Sequence, residues 1–280
     1  MPFSDLSVIV ITYNEERNIE RCLRSASFAG EIILVDSGST DKTVGIAKTL
    51  GAKVLVHPYD GDIPQRERGF DAACGTWLLY IDADEEISPE LKASIGRVIE
   101  GNTRFDGYYV GRRVEVLGSW MMHGGWYPDW TFRLFRKDLV KAERAEVHGG
   151  FTVDGPKGRL EGDLFHYTYP TIEEYLRKMN DYTSLQVSGK LEHSPGASGL
   201  ILKILFSPLS YFIRKFFSQR GYRDGARGFV LAVLGSIYTF ALYAKLWEYS
   251  WRKERNETDL PPITNVALRE FKKRYHAASG

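Results

Sequence analysis

A chain of 280 residues, 43% of them hydrophobic, can bury a sizeable core as one large domain or as one domain with a substantial appendage, which excludes a disordered chain. Thirty-seven basic residues against thirty-six acidic ones leave a formal net charge of +1, so no bulk field recommends a nucleic acid partner, and charge recognition has to be local. The two cysteines, Cys22 and Cys74, form neither a disulfide framework nor a CxxC spacing and are expected as core thiols in a reducing compartment.

The opening stretch MPFSDLSVIVITYNEE has no basic segment and a single apolar run, Leu6 to Ile11, too short for the hydrophobic part of a signal peptide. A strand is expected there at once. LSVIVI is followed by a helical stretch near Glu16–Ser27, EIILV by Lys42–Leu50, AKVLV by Pro64–Ala73, and TWLLYI by Pro89–Ile99. Short continuous Val- and Ile-rich runs alternating with amphipathic stretches predict βαβ units, an α/β class, and a mostly parallel sheet with helices on both faces. In such sheets ligands sit beyond the carboxyl ends of the strands. Those ends read Thr12-Tyr13-Asn14-Glu15, Asp36-Ser37-Gly38-Ser39 and Asp82-Ala83-Asp84, and are expected along one rim.

The fourth run ends on Asp82, Asp84, Glu85 and Glu86, where each carboxylate raises the cost of ionising the next. A cation supplied from outside the chain is the expected remedy. Asp82 and Asp84 share a face if the strand continues and converge if it turns, and carboxylate oxygens suit Mg²⁺ or Mn²⁺, which take one or two protein carboxylates and complete their shell with phosphate and water. The plainer alternative makes Asp82 a turn residue and Asp84 to Glu86 the solvated approach to a helix entered through SPEL. Phosphatases of the haloacid dehalogenase type also carry DxD, but after the first strand and with Thr or Val where this chain has Glu86. No G-x-G-x-x-G follows a predicted strand and no G-x-x-x-x-G-K-[ST] occurs, which leaves phosphates to a metal ion.

With VIVITYNEE, ILVDSGSTDKT and LLYIDADEEI in this order, the sequence resembles family 2 glycosyltransferases of the GT-A fold, a Rossmann-like α/β sheet. The resemblance implies inverting transfer from a nucleotide sugar, with Mn²⁺ or Mg²⁺ as cofactor. It places Thr12, Tyr13 and Glu15 along the nucleoside, Asp36 on the base, Gln65 and Arg66 near the donor, Asp82 at the nucleotide and the metal, and Asp84 on the metal. Thr12 or Asn14 capping the first helix and Arg66 as a solvated helix residue are the structural alternatives. Further along, GWYPDWTFRLFRK, EVHGGFTVDGPKGRLEGDLFHYTYP and EEYLRKMNDYT resemble the bacterial subgroup that includes lipopolysaccharide core β-1,4-glucosyltransferases. This implies a UDP-sugar donor, glucose in the first instance, and a lipid-linked saccharide acceptor. The subgroup tends to carry Glu where this chain has Gly149, so any role of that Glu is absent or taken by Glu146.

From Phe105 to Phe165 the texture turns aromatic and glycine-rich, with alternating pieces such as GYYVGRRVEVLG and TFRLFRK that predict a mixed or antiparallel extension. The expected organisation is a GT-A domain over residues 1–170, with a nucleotide-sugar half (1–100) and an acceptor half (101–170), and a helical region over 171–280. An inverting transfer needs a base for the acceptor hydroxyl. Asp129, four residues before Arg133, is the candidate on the resemblance and Glu146 the second choice, with a turn role for Asp129 after Pro128 as the alternative. His148 and His166 stand where the family supplies a late imidazole to the metal, or are structural histidines. Trp120, Trp126, Tyr127 and Trp130 are candidates to stack on a sugar face, or core.

From Thr171 onward the chain reads helical, with Thr171 and Glu174 as a capping pair. Phe229 to Ala244 is uncharged over sixteen residues, roughly 24 Å as a helix against a hydrocarbon core of about 30 Å. Upstream, KILFSPLSYFIRKFFSQRGYR holds Lys203, Arg214, Lys215, Arg220 and Arg223 and no acid, as expected of helices lying on anionic lipid. A buried hairpin or an oligomer contact is the alternative. The site of action expected on these grounds is cytoplasmic, peripheral on the inner face of a bacterial inner membrane. A catalytically silent nucleotide-binding module at the membrane is the competing function.

Overall fold

A computed structural model describes residues 3–101, 103–143, 150–190 and 196–255. In chain order the first part runs β1 (Phe3–Thr12), α1 (Ile19–Ser25), β2 (Ala29–Asp36), α2 (Thr43–Thr49), β3 (Lys53–Val56), α3 (Asp62–Ala72), β4 (Trp77–Asp82), β5 (Glu85–Ile87) and α4 (Pro89–Glu100). It continues with β6 (Gly107–Val116), β7 (Ser119–Trp120), β8 (Asp129–Arg136), β9 (Lys141–Glu143), β10 (Gly150–Thr152) and β11 (Lys157–Tyr169). The main sheet has the order β3-β2-β1-β4-β8-β6-β11-β5, with β7 against β6, and β9 pairs with β10.

The first four strands are parallel to one another. Their apolar runs are unbroken because both faces are covered. Leu6, Val8 and Val10 of β1 pack with Ile19 and Leu23 of α1, Ala47 of α2 and Leu91 and Ile95 of α4. Ile9, pointing the other way, packs with Phe70 of α3 and with Leu78, Phe132 and Phe135. The antiparallel extension begins at β8, which lies between β4 and β6 and is antiparallel to both. Phe132 and Phe135 stack at 5.6 Å between ring centres and carry the second core across the change of strand direction.

Helix α1 starts at Ile19 and not at Glu16, for a reason visible in the hydrogen bonds. Asn14 turns the chain at φ 51°, and the N–H groups of Asn14, Glu15 and Glu16 donate to Ser39, Thr43 and Asp41. Amides that would otherwise open the helix are used to sew the first strand-end loop to the second.

The chain divides into two compact units, one of Met1–Arg113 with Pro128–Thr168, the other of Val114–Tyr127 with the chain from Tyr169. The second is helical: α5 (Ile172–Lys190), α6 (Ala197–Phe212), a π turn (Ile213–Ser218), a 3₁₀ turn (Gly221–Asp224) and α7 (Gly225–Glu254). Thr171 caps α5 by accepting from the Glu174 N–H at 3.1 Å. Leu231 and Leu234 of α7 pack with Val114, Val116, Met121 and Tyr175, while Leu242 and Leu246 pack with Val187 of α5 and Leu200 of α6. At Gly235 a Cβ would come within 2.3 Å of the Tyr211 ring, so a glycine is what lets α6 approach α7 here.

Candidate active site

Strand register brings the three polar strand ends to one rim: Thr12 lies opposite Asp36 on β2, and Ile11 opposite Asp82 on β4. Asp36 is buried, and its carboxylate accepts from the Gly38 and Ser39 N–H groups at 2.9 Å and from the Ser39 hydroxyl. That rigidifies its own loop and uses three of roughly four acceptor positions on a carboxylate. Gln65 of α3 is fully buried and donates to Ser37 Oγ at 3.1 Å and to the His57 carbonyl at 2.9 Å. Glu15 accepts from the Asn18 side chain at 2.8 Å, and Tyr13 is half-buried beside it in the loop. Neither Thr12 nor Asn14 caps α1, whose N-cap position is Asn18.

The crowded acids at the end of β4 find their countercharges within the chain, which corrects the expectation that the cation comes entirely from outside. Arg66 is not a solvated residue; its Nη2 lies 2.7 Å from Asp82 Oδ1. Arg133 Nη2 lies 3.3 Å from Asp82 Oδ2 and 2.9 Å from Glu85 Oε1. Arg112 reaches Glu85 at 3.6 Å and donates to Asp129 Oδ2 at 2.9 and 2.6 Å. Positive and negative groups therefore alternate from Arg66 through Asp82, Arg133, Glu85 and Arg112 to Asp129. Burial works against ionisation of Asp82, but the Arg66 and Arg133 guanidiniums override it and hold its carboxyl well below the usual range. For Glu85, burial and the nearby Asp82 charge outweigh the arginines and push the carboxyl up.

Asp84 leaves this chain of charges and faces His166, whose Nε2 lies 3.2 Å from Asp84 Oδ2. Their meeting is fixed by backbone. Ser88 Oγ accepts both the Leu91 N–H that starts α4 and the Asp163 N–H of β11, each at 3.1 Å. Gly162, at φ +87°, permits it, since a Cβ there would sit 2.2 Å from Leu91 N. β11 then runs antiparallel to β5 with His166 opposite Glu85, and the Tyr167 N–H reaches the Asp84 carbonyl at 3.0 Å. Glu86 points to the other face and accepts from the Tyr167 hydroxyl at 2.6 Å.

Six buried side-chain polar atoms among the described residues have no hydrogen-bond partner, and four belong to this rim: Thr12 Oγ1, Gln65 Oε1, Arg66 Nε and His166 Nδ1. Buried polar groups are normally satisfied, so these four leave hydrogen-bonding capacity unused at the strand ends. Glu146 and His148 lie outside the described residues. Cys22 is buried and its Sγ lies 3.6 Å from the Asp82 carbonyl, whereas Cys74 is exposed, contrary to the core position expected for it. Trp130 is 37% exposed with the Arg159 guanidinium 4.6 Å above its ring. In the helical unit, the loop that carries Trp126 is held by Asp224, which accepts from the His123 N–H and Nδ1 at 2.8 Å.

A profile described as Glycosyl transferase family 2 matches residues 7–150, and an uncharacterized glycosyltransferase of Rickettsia typhi is 31% identical over 268 residues, 90% of this chain and 89% of its own. The chain belongs to glycosyl transferase family 2. This glycosyltransferase is also similar to the lipopolysaccharide core biosynthesis glycosyltransferase LpsC of Rhizobium meliloti, with 27% identity over 271 residues, 92% of this chain and 98% of that one. Among solved structures, glucosyl-3-phosphoglycerate synthase from Mycobacterium tuberculosis in complex with Mn²⁺, UDP and glucosyl-3-phosphoglycerate shows 20% identity and a TM-score of 0.43 over 66% of this chain and 79% of its own. The fold of the glycosyltransferase is the α/β GT-A arrangement with an added C-terminal helical region.

The family's divalent ion can be tested against these residues. Asp84 and His166 offer one oxygen and one nitrogen at a separation close to the roughly 3 Å expected between neighbouring ligands with bonds of about 2.1 Å. No group of three His, Cys, Asp or Glu side chains converges among the described residues, so any ion held here would take the rest of its shell from phosphate oxygens and water. Asp82 does not join the pair, because both of its oxygens face arginines. The residues present fit a two-ligand divalent site at Asp84 and His166.

Proposed function

We propose that this chain is a metal-dependent inverting hexosyltransferase that takes a hexose, glucose from UDP-glucose in the first instance, and adds it to a lipid-anchored saccharide such as lipopolysaccharide core at the cytoplasmic face of a bacterial inner membrane. The observation that carries the donor site is the set of unpaired buried atoms on Thr12, Gln65, Arg66 and His166. Similarity to LpsC along nearly the whole of both chains supports the acceptor class.

In this reading Thr12, Tyr13, Glu15, Asp36 and Gln65 line the nucleoside, and Arg66 turns its guanidinium between Asp82 and the donor diphosphate. Asp84 and His166 hold Mn²⁺ or Mg²⁺, which when bound supplies positive charge to the departing diphosphate. Asp129 takes the proton of the acceptor hydroxyl as its oxygen bonds to the anomeric carbon and the bond from that carbon to the diphosphate oxygen breaks. Arg112, bound to one Asp129 oxygen, orients the other toward the acceptor. Glu146 is the alternative base.

A donor panel incubated with purified protein, with and without Mn²⁺ or a chelator, and calorimetry with UDP, tests the reading. Slow metal-dependent hydrolysis of one UDP-hexose, lost in Asp84→Asn with the fold intact, is the expected result. Nucleotide binding with no turnover on any donor or lipid extract would replace the enzyme by a silent binding module.

A further inference from the structure

The helical unit leaves an apolar stripe to solvent. Leu202, Leu205, Phe206, Leu209, Ile213 and Phe217 are each between 47% and 63% exposed, and steps of three or four residues put them on one face of α6 and the π turn. Soluble monomers rarely leave so long a contiguous apolar surface to water. Its borders are cationic: Lys203, Arg214, Arg220 and Arg223 are exposed, and no acid occurs from Ala197 to Arg223.

Helix α7 is the segment that composition alone would send across a bilayer. The stretch Gly221–Glu254 reaches a mean hydropathy of 1.7, and the 30 residues of α7 extend about 45 Å, beyond a hydrocarbon thickness of about 30 Å. Its packing argues otherwise. Lys245 donates to the Asn180 carbonyl, Thr183 Oγ1 and Ser184 Oγ of α5 at 2.9, 2.8 and 2.7 Å, and Gln186 of α5 donates to the Tyr238 hydroxyl at 2.8 Å. Helix α5 also carries Glu173, Glu174, Arg177, Lys178 and Asp181. Crossing a membrane would drag these charges into hydrocarbon, which few spans tolerate.

We infer that α6 and the π turn form a lipid-inserting element that lies in the plane of an anionic leaflet, with the apolar stripe at the acyl boundary and Lys203, Arg214, Arg220 and Arg223 among the headgroup phosphates. This deepens, and for its purpose rests on, the lipid-anchored acceptor reading; α7 is its packed support and not a span. Interfacial helices combine these features: a continuous apolar face, a basic margin and no central charge. The segment that directly follows the element holds the Trp126 loop, since the Gly124 N–H donates to the Gln219 carbonyl at 2.8 Å and Asp224, at the end of the 3₁₀ turn, binds His123. Lipid contact and an aromatic candidate for sugar stacking are thereby fastened together.

Co-sedimentation of the full chain with phosphatidylcholine vesicles, with and without phosphatidylglycerol, tests the assignment. Binding is expected to require phosphatidylglycerol, to fall roughly tenfold or more in the double variant Leu205→Asp with Phe206→Asp, and to be released by alkaline carbonate. Leu139→Asp, an exposed leucine of the sheet unit, should bind as the unaltered chain does. If the double variant does not fold, Arg214→Glu with Arg223→Glu should remove the anionic-lipid dependence instead. Retention in carbonate, binding unaffected by the folded variants, or a concentration-dependent dimer that Leu205→Asp dissolves without any vesicle binding would each overturn it. Hydrolysis of donor in the absence of lipid reads the enzyme proposal separately, so either can fail alone.

Discussion

Arg133 and Glu85, 48 residues apart in sequence, meet at 2.9 Å with their side chains 5% and 0% exposed. An ion pair this deep is stabilising only as a pair, because either charge alone would be stranded away from water. Replacing Arg133 by methionine is expected to cost about 3–5 kcal/mol of unfolding free energy, read from urea denaturation. Adding Glu85→Met should restore most of it, and a double variant no more stable than the single would show that Arg133 acts through something other than Glu85.

The Asp84 and His166 pair makes a second expectation. If one ion bridges them, Asp84→Asn and His166→Asn should each weaken the Mn²⁺-dependent part of UDP binding by about tenfold or more, and the double variant should be little worse than the poorer single. Calorimetry with UDP at fixed Mn²⁺, compared with the same titration under chelator, measures this. Additive losses would place the two residues in separate roles.

Asp129→Asn tests the base. Loss of general-base assistance is expected to lower kcat by about 10²–10⁴ while UDP affinity stays as it was, because Asp129 lies at the far end of the charge chain from Arg66. Unchanged turnover would pass the role to Glu146, to be tested by the corresponding Gln variant.

Asp224 has an 8% exposed side chain and accepts from the amides of Met122 and His123 and from the His123 ring. Asp224→Ala leaves those donors without a partner, at a cost of about 1–3 kcal/mol. Hydrogen exchange at Met122 and His123 should accelerate while that of the β1 core amides is unchanged.

Glu31 carries a pH dependence whose sign is fixed by its surroundings. Burial works against its ionisation, but the Ser7 hydroxyl and the Cys74 N–H donate to it and leave its carboxyl below the ordinary value. The unfolded chain, near about 4.3, therefore binds the proton more readily than the native one. The stabilisation is present in full above that range and disappears as pH falls through the lower folded value. The stability difference between the unaltered chain and Glu31→Gln should be evident at neutral pH and close in acid, as read from urea midpoints across the range.

The parallel half and its rim are legible in sequence because local signals agree: four short Val- and Ile-rich runs, amphipathic stretches between them, and polar residues at each strand end. Thr171 as the cap of α5 is legible for the same reason. Glu85 is not. It stands among neighbours that read as a solvated acidic patch, yet strand alternation turns it inward while Glu86 turns out. Its partners Arg112 and Arg133 arrive from antiparallel strands whose pairing no local pattern specifies. The boundary of α1 was hidden similarly, since the bonds that occupy the amides before it come from residues 39–43, a whole βα unit away. Cys74 shows the limit of residue-type averages: cysteine is commonly buried, but this one sits at an exposed turn before β4.

Position of β8 between β4 and β6 has a consequence for how this enzyme is divisible. The three strand-end motifs fall before residue 100, yet Arg133, which pairs with Asp82 and Glu85, and His166, which faces Asp84, are delivered only when later strands have docked beside β4 and β5. An amino-terminal fragment would keep these motifs and lose the partners of Asp82, Asp84 and Glu85, so the rim's charge balance cannot be transplanted without the later strands. During synthesis, too, the rim becomes charge-balanced late, after long-range strand pairing has closed, and the growing chain passes most of its length without that balance.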